Sequence, residues 1–386
     1  MQIRRLETMA VHVSARGDWV FVQVHTDGGL VGLGEASHGS SDRQVVLAVQ
    51  RYAQRLHGRD PRQMRQLWPL LHSPQGGRAA QTAASAIEQA LWDLLGQSLG
   101  APIHALLGGA VRDRIRLYAN INRHVRERSP EGFARAAAAA VSEGFDAIKL
   151  APFDELRGPD HVRTGPRAAW HAGVERVAAV RAAIGPDIEL MVDCHGRMEP
   201  SEALQVGRAL APLDLVWLEE PVPHTFHREL QQLTRRLPMP TASAESCYAM
   251  EGFAPFLSER LVDILMPDVK HDGGIAETLA IAQAARMRQL LVAPHNPAGP
   301  VSTAATAHVA ATLPNLLILE YAWGEAPWRA ELIEPAECIE QGHLCLPQGP
   351  GLGHRLRADV VRAHLAAQPR DDDASKVVIE AEPHAQ

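Results

Sequence analysis

The sequence predicts an α/β fold in which a barrel of parallel strands follows a smaller α+β region. From Arg116 onward, short apolar segments alternate with amphipathic helical segments, a pattern typical of parallel βαβ units. Eight strand segments can be recognised, and eight parallel strands in succession favour a closed barrel over an open sheet. The first 110 residues or so run instead from strand to helix, and the repeating units cease beyond Ala326.

The amino-terminal region opens with a predicted hairpin. Residues 19–25 and 30–35 have the character of strands, and the Thr-Asp-Gly-Gly segment between them is a turn signal. Apolar residues recur at three-to-four spacing over residues 82–97, which predicts an amphipathic helix. Ser85 and Glu88 have the spacing of a capping box near the start of this helix.

The barrel strands can be placed individually. They are predicted at residues 115–120, 146–150, 188–193, 215–219, 241–245, 263–268, 289–295 and 316–320. The helix after the first of them has clear end signals, with Ser129 as N-cap, Pro130 at its first position and Gly144 as its stop. In such a barrel the chemistry lies at the carboxyl ends of the strands.

Composition excludes several classes of partner. The chain has 386 residues with 38 Lys and Arg against 45 Asp and Glu, a formal net charge of −7. This mild acidity supplies no basic field for nucleic acid or an anionic membrane, so neither is an expected partner. No apolar run approaches the roughly 20 residues that span a bilayer, and the amino terminus lacks a signal-peptide core. The four scattered cysteines suit a reducing compartment, so we expect a cytoplasmic protein.

Polar residues end the successive predicted strands, where a barrel places them around one mouth. Lys149 lies at the end of the second strand. The six strands after it end in Asp193, Glu219, Glu245, Asp268, His295 and Glu320. These six are 23 to 27 residues apart, about one βα unit, so each ends a different strand. Carboxylates that share a cavity repel each other unless a cation neutralises them, and all-oxygen ligation favours Mg²⁺ over Ca²⁺ or Zn²⁺.

Two histidines stand beside these carboxylates. Alternation of side chains within a strand predicts Asp193 and His195 on one face and Cys194 on the other. His295 alone could be a loop histidine that stabilises a turn. Beside Asp268, one strand earlier, it forms a predicted Asp–His dyad in which the carboxylate fixes the tautomer and raises the basicity of the imidazole.

A second group of metal-ligating residue types lies near the carboxyl end of the chain. It consists of Cys338, His343 and Cys345. These residue types suit zinc, but no fourth ligand of suitable spacing is visible, so the sequence disfavours a zinc site here.

Taken together, the motifs at the strand ends resemble one known family. They read Val-Asp193-Cys-His195-Gly, Trp-Leu-Glu219-Glu-Pro, Ala-Glu245-Ser, Pro-Asp268-Val-Lys-His-Asp-Gly-Gly and Ala-Pro-His295-Asn-Pro. The chain resembles the enolase superfamily, mandelate racemase subgroup. Ala-Leu-Trp-Asp93 and Leu-Leu-Gly-Gly109 extend the resemblance to nearly the whole chain.

The resemblance implies a division of the chain into a cap and a barrel. Residues 1–114 would form an α+β capping domain and residues 115–325 a (β/α)7β barrel, a modified TIM barrel. Residues 326–386 would complete the cap and end in a polar, disordered tail. Asp193, Glu219 and Glu245 would be the Mg²⁺ ligands, and such proteins are commonly dimers or octamers.

The resemblance also implies a reaction, removal of the proton α to a carboxylate. His295, oriented by Asp268, would be the base, and Mg²⁺, aided by Lys149 and Glu320, would stabilise the enediolate. Members that racemise carry Lys-x-Lys at the second strand, whereas this chain has Lys149-Leu-Ala. His195 instead matches the acid of galactonate dehydratase-like members, which protonates a leaving β-hydroxyl and gives a 2-keto-3-deoxy acid.

The sequence leaves the substrate open. An aldonic acid is the first choice, and the cap segments at residues 14–19, 37–41 and 72–78 are expected to close the pocket. A cis-3-hydroxyproline is the alternative, because residues 118–123 and 149–154 are similar to hydroxyproline dehydratases, with Asp154 or Asn122 meeting the ring nitrogen. Two further alternatives are an epimerase that uses His295 and His195 as opposed bases, and a non-catalytic binding protein.

Overall fold

The amino-terminal region folds into a three-stranded antiparallel sheet backed by helices. In this computed structural model, residues 1–14, 17–37, 42–72, 76–156 and 169–366 are described. The region comprises β1 (Ile3–Ser14), β2 (Gly17–Thr26), β3 (Val31–Glu35), α1 (Asp42–Leu56), α2 (Met64–Leu71), α3 (Gly77–Leu99) and α4 (Ile103–Leu106). The predicted hairpin is confirmed as β2 and β3.

Strand β1 is an element that the sequence did not reveal. It pairs antiparallel with β2 along almost its whole length. Register shifts near both of its ends interrupt the alternation of buried and exposed residues, and only Ile3, Leu6 and Val11 are fully buried. Without a regular two-residue period, the segment lacks the pattern that identifies a strand.

The predicted helix at residues 82–97 is present within the longer α3, but the predicted capping box is wrong. Ser85 lies in mid-helix, where its hydroxyl donates to the Gln81 carbonyl, and its oxygen accepts from the backbone N–H of Gly273. Glu88 accepts hydrogen bonds from Ile275 N and Ala276 N, which belong to a different helix. The spacing was that of a capping box, but both side chains serve tertiary contacts.

Eight parallel strands close into the predicted barrel, which confirms the fold class. They are β4 (Arg114–Asn120), β5 (Ala147–Leu150), β6 (Glu189–Asp193), β7 (Trp217–Glu219), β8 (Thr241–Ser243), β9 (Ile264–Leu265), β10 (Leu291–Val292) and β11 (Leu319–Ala322). From β4 to β10 each strand pairs with the next in chain order, and β11 pairs with β4. A bridge between Val292 and Leu316 joins β10 to the segment before β11 and so completes the ring.

Helices surround the barrel. They are α5 (Pro130–Ser142), α6 (Ala169–Ile184), α7 (Pro200–Leu210), α8 (His227–Thr234), α9 (Ala249–Glu259), α10 (Ile275–Met287) and α11 (Pro300–Thr312). The predicted ends of the first are confirmed, since Ser129 Oγ accepts from Gly132 N at 3.1 Å and Gly144 adopts a φ of +96°. None of the helices in the described part of the chain is long and apolar enough to cross a membrane.

The carboxyl-terminal segment returns to both other regions. It contains β12 (Ile333–Glu334), β13 (Ile339–Glu340), β14 (His343–Cys345), β15 (Arg355–Leu356) and α12 (Ala358–Ala363). Strand β14 lies antiparallel to β4 at the edge of the barrel sheet. Backbone hydrogen bonds join His12 to His364 and Ala366 to Ala10 in β1. The predicted boundaries at residues 114 and 325 stay predictions, and the predicted tail lies outside the described residues.

Two buried carboxylates of the amino-terminal region bind the first turns of barrel helices. Glu35 accepts from Gly299 N and Ser302 N, at 2.6 and 2.8 Å, at the start of α11. Glu88 accepts from the first amides of α10. The first amides of a helix have no hydrogen-bond acceptor within the helix itself. Because these helices begin at the carboxyl ends of strands, the amino-terminal region sits on the barrel mouth.

Replacing Glu88 with Ala is expected to destabilise the protein. The buried amide of Ile275, the partly buried amide of Ala276 and the indole N–H of Trp92 would lose their acceptor, and an unsatisfied buried group costs about 1–3 kcal/mol. Calorimetry should show the apparent Tm lower by several degrees. The control is Glu131→Gln, because Glu131 is an exposed first-turn carboxylate of α5. Equal Tm values for the two variants would contradict the docking role.

Candidate active site

The side chains predicted at the strand ends do gather at one mouth, although several strands end earlier than expected. Asp193 and Glu219 are the last residues of β6 and β7. Glu245, Asp268 and His295 follow strands that end two or three residues earlier. Pairing continues beyond the last of these strands, since His295 N donates to the Pro267 carbonyl at 3.1 Å.

The backbone turns sharply where these side chains emerge. His195, Glu220 and Ala244 have φ values of +48°, +37° and +93°, in a region that residues with a side chain seldom occupy. The predicted reason for the proximity of His195 to Asp193 was therefore wrong. The two residues do lie together, but His195 lies beyond the strand. Its backbone N–H donates to Asp193 Oδ1 at 2.9 Å. Cys194, also beyond the strand, packs in the outer core and so does point away from the mouth, as predicted.

Three carboxylates form a cluster with the character of a cation site. Ligand oxygens of Asp193, Glu219 and Glu245 all lie within 4.8 Å of one another. Burial and the negative charge of Asp193 raise the pKa of Glu219 to about 8, and burial with neighbouring carboxylates raises that of Glu245 well above its usual range. Glu245 Oε2 is buried and accepts no hydrogen bond of good geometry, and its nearest charged neighbour is His295 Nε2 at 3.2 Å. An all-oxygen donor set with an orphaned oxygen fits a hard divalent cation.

Lys149 and Glu320 lie under this cluster. Lys149 Nζ is 2.9 and 3.0 Å from the two carboxylate oxygens of Glu219 and 3.0 Å from Glu320 Oε1. Glu320 also accepts from Asn120 Nδ2 and Asn296 N. Both charged side chains are fully buried, so they neutralise each other and orient Glu219 from below.

The predicted Asp268–His295 pair is present, and a lysine supports it. His295 Nδ1 is 2.7 Å from Asp268 Oδ2, and Lys270 Nζ is also 2.7 Å from that oxygen. Burial opposes the charge of Asp268, but Lys270, His271 and His295 hold the pKa of its carboxyl well below the usual range. An ionised Asp268 accepts from Nδ1–H, which leaves Nε2 of His295 as the basic nitrogen.

His195 has its own carboxylate partners. Its Nδ1 is 2.5 Å from Asp154 Oδ1, and its Nε2 is 2.9 Å from Asp193 Oδ2. Burial opposes protonation, yet these two carboxylates raise the pKa of His195 well above the usual value. His195 follows the third barrel strand and His295 the seventh of eight, so the two imidazoles approach the mouth from opposite sides.

A cavity of about 180 Å³ lies between the two histidines. Pockets for drug-sized ligands measure roughly 300–1,000 Å³, so this space suits a small molecule. Its lining comprises Arg78, Asn120, Asn122, Arg123, Asp193, His195, Glu245, Lys270, His271, His295 and Pro297. Among the described residues, Lys149 and Glu320 do not line it.

Several lining residues were not singled out from the sequence. Arg78 enters from α3 and is 3.0 Å from His271 Nε2, a contact between parts of the chain 193 residues apart. Lys270 differs from Arg78, because alternation along the predicted strand does direct Lys270 together with Asp268, and the two side chains lie 2.7 Å apart. Arg78 is the last residue of the cap segment predicted at residues 72–78, and it does line the cavity. Parts of the three predicted cap segments, residues 15–16, 38–41 and 73–75, lie outside the described part of the chain, so their closing role stays a prediction.

Comparison with protein families gives two matches that together span most of the chain. Residues 2–108 match the mandelate racemase/muconate lactonizing enzyme amino-terminal domain. Residues 132–360 match the enolase carboxyl-terminal-domain-like family.

Individual proteins are similar to this chain over most of its length. D-xylonate dehydratase of Haloferax volcanii is 35% identical over 358 residues, which are 90% of this chain and 85% of that protein. D-galactonate dehydratase of Ralstonia nicotianae is 34% identical, covering 92% and 91% of the two chains. A mandelate racemase/muconate lactonizing enzyme structure from Sulfitobacter sp. has a TM-score of 0.86 at 30% identity, with 95% and 96% covered.

Proposed function

Because the chain belongs to the mandelate racemase/muconate lactonizing enzyme family of the enolase superfamily, we propose that it is a Mg²⁺-dependent dehydratase of a sugar acid. The observation that carries the proposal is the pair of histidines, each with its own carboxylate, on opposite sides of three clustered acids. His295 is suited to take a proton from the substrate, and His195 is suited to give one to it. The substrate would be a soluble aldonate in the cytoplasm.

His295 is the base of the proposed reaction. Its Nε2 takes the proton from the α-carbon while Asp268 stabilises the imidazolium that forms. Asp193, Glu219 and Glu245 would hold the cation. A bound Mg²⁺ would supply the positive charge that offsets the anion developing on the substrate carboxylate.

His195 is the acid of the second step. The bond between the β-carbon and its hydroxyl breaks as His195 donates a proton, so water leaves and an enol remains. The enol then takes a proton on the β-carbon as its hydroxyl gives up a proton to solvent, and it becomes a 2-keto-3-deoxy acid. The carboxylates of Asp154 and Asp193 favour the protonated imidazole that this step needs.

Lys149 and Glu320 have a supporting role in this proposal. Both are fully buried beneath Glu219, and neither lines the cavity among the described residues. They therefore act through Glu219, whose carboxylate the lysine keeps in place and whose charge it offsets. A direct contact of either residue with the enediolate stays a prediction.

The cavity favours an aldonate over hydroxyproline. Asp154, proposed to meet the ring nitrogen, is already bonded to His195, and Asn122 Oδ1 accepts from Ala151 N at 2.6 Å. Arg78 and Arg123 instead line the cavity with guanidinium groups, each of which has five N–H donors and so suits several hydroxyl groups. The curated relatives named for D-xylonate and D-galactonate support the same class.

A substrate screen tests the proposal. The full-length protein would be incubated with D-galactonate, D-xylonate, D-gluconate and cis-3-hydroxyproline, with Mg²⁺ or with EDTA, and keto acids detected as semicarbazones. We expect a Mg²⁺-dependent keto product from at least one aldonate. A cyclic imine product from hydroxyproline alone would favour the alternative dehydratase. A stereoisomer with solvent deuterium at the α-carbon and no keto acid would identify an epimerase, and no binding of any acid would revive a non-catalytic role.

Replacing Asp154 with Asn is expected to slow the elimination. A hydrogen bond to a charged group is worth about 1.5–3 kcal/mol, so kcat for dehydration should fall roughly 10–150-fold with KM little changed. Exchange of the α-proton with solvent should continue. The control is Glu155→Gln, because Glu155 binds Arg128 and Arg176 on the surface beside it. Equal loss of exchange and dehydration in Asp154→Asn would show that Asp154 does not act through His195.

A further inference from the structure

A small hairpin near the carboxyl end collects four metal-ligating residue types on one face. Strands β13 and β14 are joined by Gln341 and Gly342, whose φ values of +49° and +67° make a tight two-residue turn. Ile339 pairs with Leu344, and these side chains face the protein. The residues that alternate with them face outward.

The outward residues form two directly opposed pairs. Glu340 lies opposite His343, and Cys345 N donates to the Cys338 carbonyl at 2.8 Å, which continues the ladder by one more pair. Opposed residues of antiparallel strands share a face, with Cβ atoms about 4.5–5.5 Å apart. Ligand atoms of Cys338, Glu340 and Cys345 already lie within 4.8 Å of one another. Glu340 thus supplies the fourth residue that the sequence pattern did not reveal.

We propose that this face, made of Cys338, Glu340, His343 and Cys345, binds one Zn²⁺ ion separate from the catalytic cation. Two thiolates, an imidazole and a carboxylate form a four-coordinate set of the kind that zinc prefers, and thiolates disfavour Mg²⁺. We call these four residues the hairpin site.

The tautomer of His343 in the hairpin site is already the one that a metal needs. Its Nδ1 is 2.8 Å from the carbonyl oxygen of Gln341, so Nδ1–H donates there and Nε2 keeps its lone pair. Metal-bound histidines commonly donate their other ring N–H to a backbone carbonyl in this way. The two sulfurs are 2.8 Å apart, and both cysteines are free. With Zn–S bonds of about 2.3 Å they would separate to roughly 3.8 Å, a change that side-chain rotation supplies.

The charge of the four ligands is largely offset by the zinc ion and by a neighbouring arginine. Two thiolates and one carboxylate carry three negative charges, so a bound Zn²⁺ leaves a net charge of −1. Arg114 lies opposite Cys345 on β4 and supplies positive charge beside it, whereas Arg116, opposite His343, is ion-paired with Asp146 and Glu189. Asn120, which lines the cavity, is four residues beyond Arg116 on β4, so about 13 Å of strand separates the Cα atoms of these two residues. The hairpin site therefore lies away from the catalytic centre.

A zinc ion at the hairpin site would stabilise the fold and take no part in the reaction. The hairpin adds β14 to the edge of the barrel sheet through β4, and Leu117 N donates to the Gly342 carbonyl at 2.8 Å. A cation that links both strands would hold the hairpin closed against β4. Removing it should leave the Mg²⁺-dependent reaction unchanged at moderate temperature and lower the thermal stability.

Metal titration of the full-length protein tests the proposal. The protein would be stripped with a chelator, reduced, kept in excess Mg²⁺, and titrated with Zn²⁺ alone or with Co²⁺ as a spectroscopic probe. We expect one equivalent of Zn²⁺ by native mass spectrometry. With Co²⁺ we expect a near-ultraviolet thiolate charge-transfer band and visible bands of tetrahedral cobalt. Binding should release protons and weaken as pH falls, because the thiols must ionise.

Variants separate the hairpin site from the active site. The double variant Cys338→Ser/Cys345→Ser should lose the cobalt bands and the zinc equivalent while dehydratase activity is retained. Glu340→Gln should weaken zinc binding at least about 10-fold and keep the thiolate band. Cys247→Ser, which changes a cysteine outside the hairpin, should behave like the unaltered chain in metal binding.

Three results would overturn the proposal. The first is the absence of a zinc equivalent in the reduced protein. The second is retention of that zinc by the double variant, which would place the ion among other residues. The third is a reduced-protein preparation that still forms a Cys338–Cys345 disulfide, seen as a mass lower by about 2 Da, in preference to binding zinc.

Discussion

Replacing His295 with Asn should remove both the dehydration and the exchange of the substrate α-proton. Asn keeps the polarity of the position but has no basic nitrogen, and loss of a general base typically costs about 10²–10⁴-fold in rate. Dehydration would be measured as the formation of keto acid, and exchange as the appearance of deuterium at the α-carbon in D₂O. Both signals should fall together, because the same proton transfer precedes both.

Two controls make this result interpretable. His224→Asn changes a histidine that does not line the described cavity, and its activity should be near that of the unaltered chain. Circular dichroism and Mg²⁺ binding should show that His295→Asn is folded and keeps its carboxylate cluster. If His295→Asn still exchanged the α-proton at the original rate, another residue would be the base and the role proposed for His295 would be wrong.

Replacing His195 with Asn should separate the two steps. The variant lacks the acid that expels the β-hydroxyl, so dehydration should fall by about 10²–10⁴-fold. His295 and Asp268 remain, so deuterium should still enter the α-carbon of recovered substrate. Proton nuclear magnetic resonance of the reaction in D₂O measures both quantities in one sample.

The same variant discriminates between elimination and epimerisation. An epimerase would need His195 to deliver a proton to the opposite face of the α-carbon, so the variant would lose the second stereoisomer. A dehydratase would instead lose the keto acid and keep exchange with retention of configuration. Full dehydration by His195→Asn would contradict the assignment of the acid.

Much of the fold could be predicted because parallel barrels repeat a simple unit. Each buried strand is a short apolar run, and the residue that ends it faces the mouth, so a spacing near 25 residues located Asp193, Glu219 and Glu245. The Asp268–His295 contact followed from the same spacing, since adjacent strand ends meet. These features depend on local sequence and on the order of strands alone.

What the sequence could not reveal depends on contacts between distant segments. Ser85 and Glu88 have a local capping spacing, yet the amides that they bind lie on α10 and its preceding turn, more than 180 residues away. The partnership of Asp154 with His195 joins two different βα loops. Glu340 became a candidate ligand only once the pairing of β13 with β14 put it opposite His343.

The docking of Glu35 and Glu88 has a consequence for how the two parts of this enzyme can diverge. Both carboxylates bind main-chain amides, so they do not read the side chains at the helix starts. What they require is a glycine before each helix. A Cβ at Gly274 would stand 2.1 Å from Glu88 Oε2, and one at Gly299 2.8 Å from Glu35 Oε1. Helix starts that diverge in their side chains but keep both glycines can therefore still bind Glu35 and Glu88, whereas any side chain at Gly274 or Gly299 would displace these carboxylates.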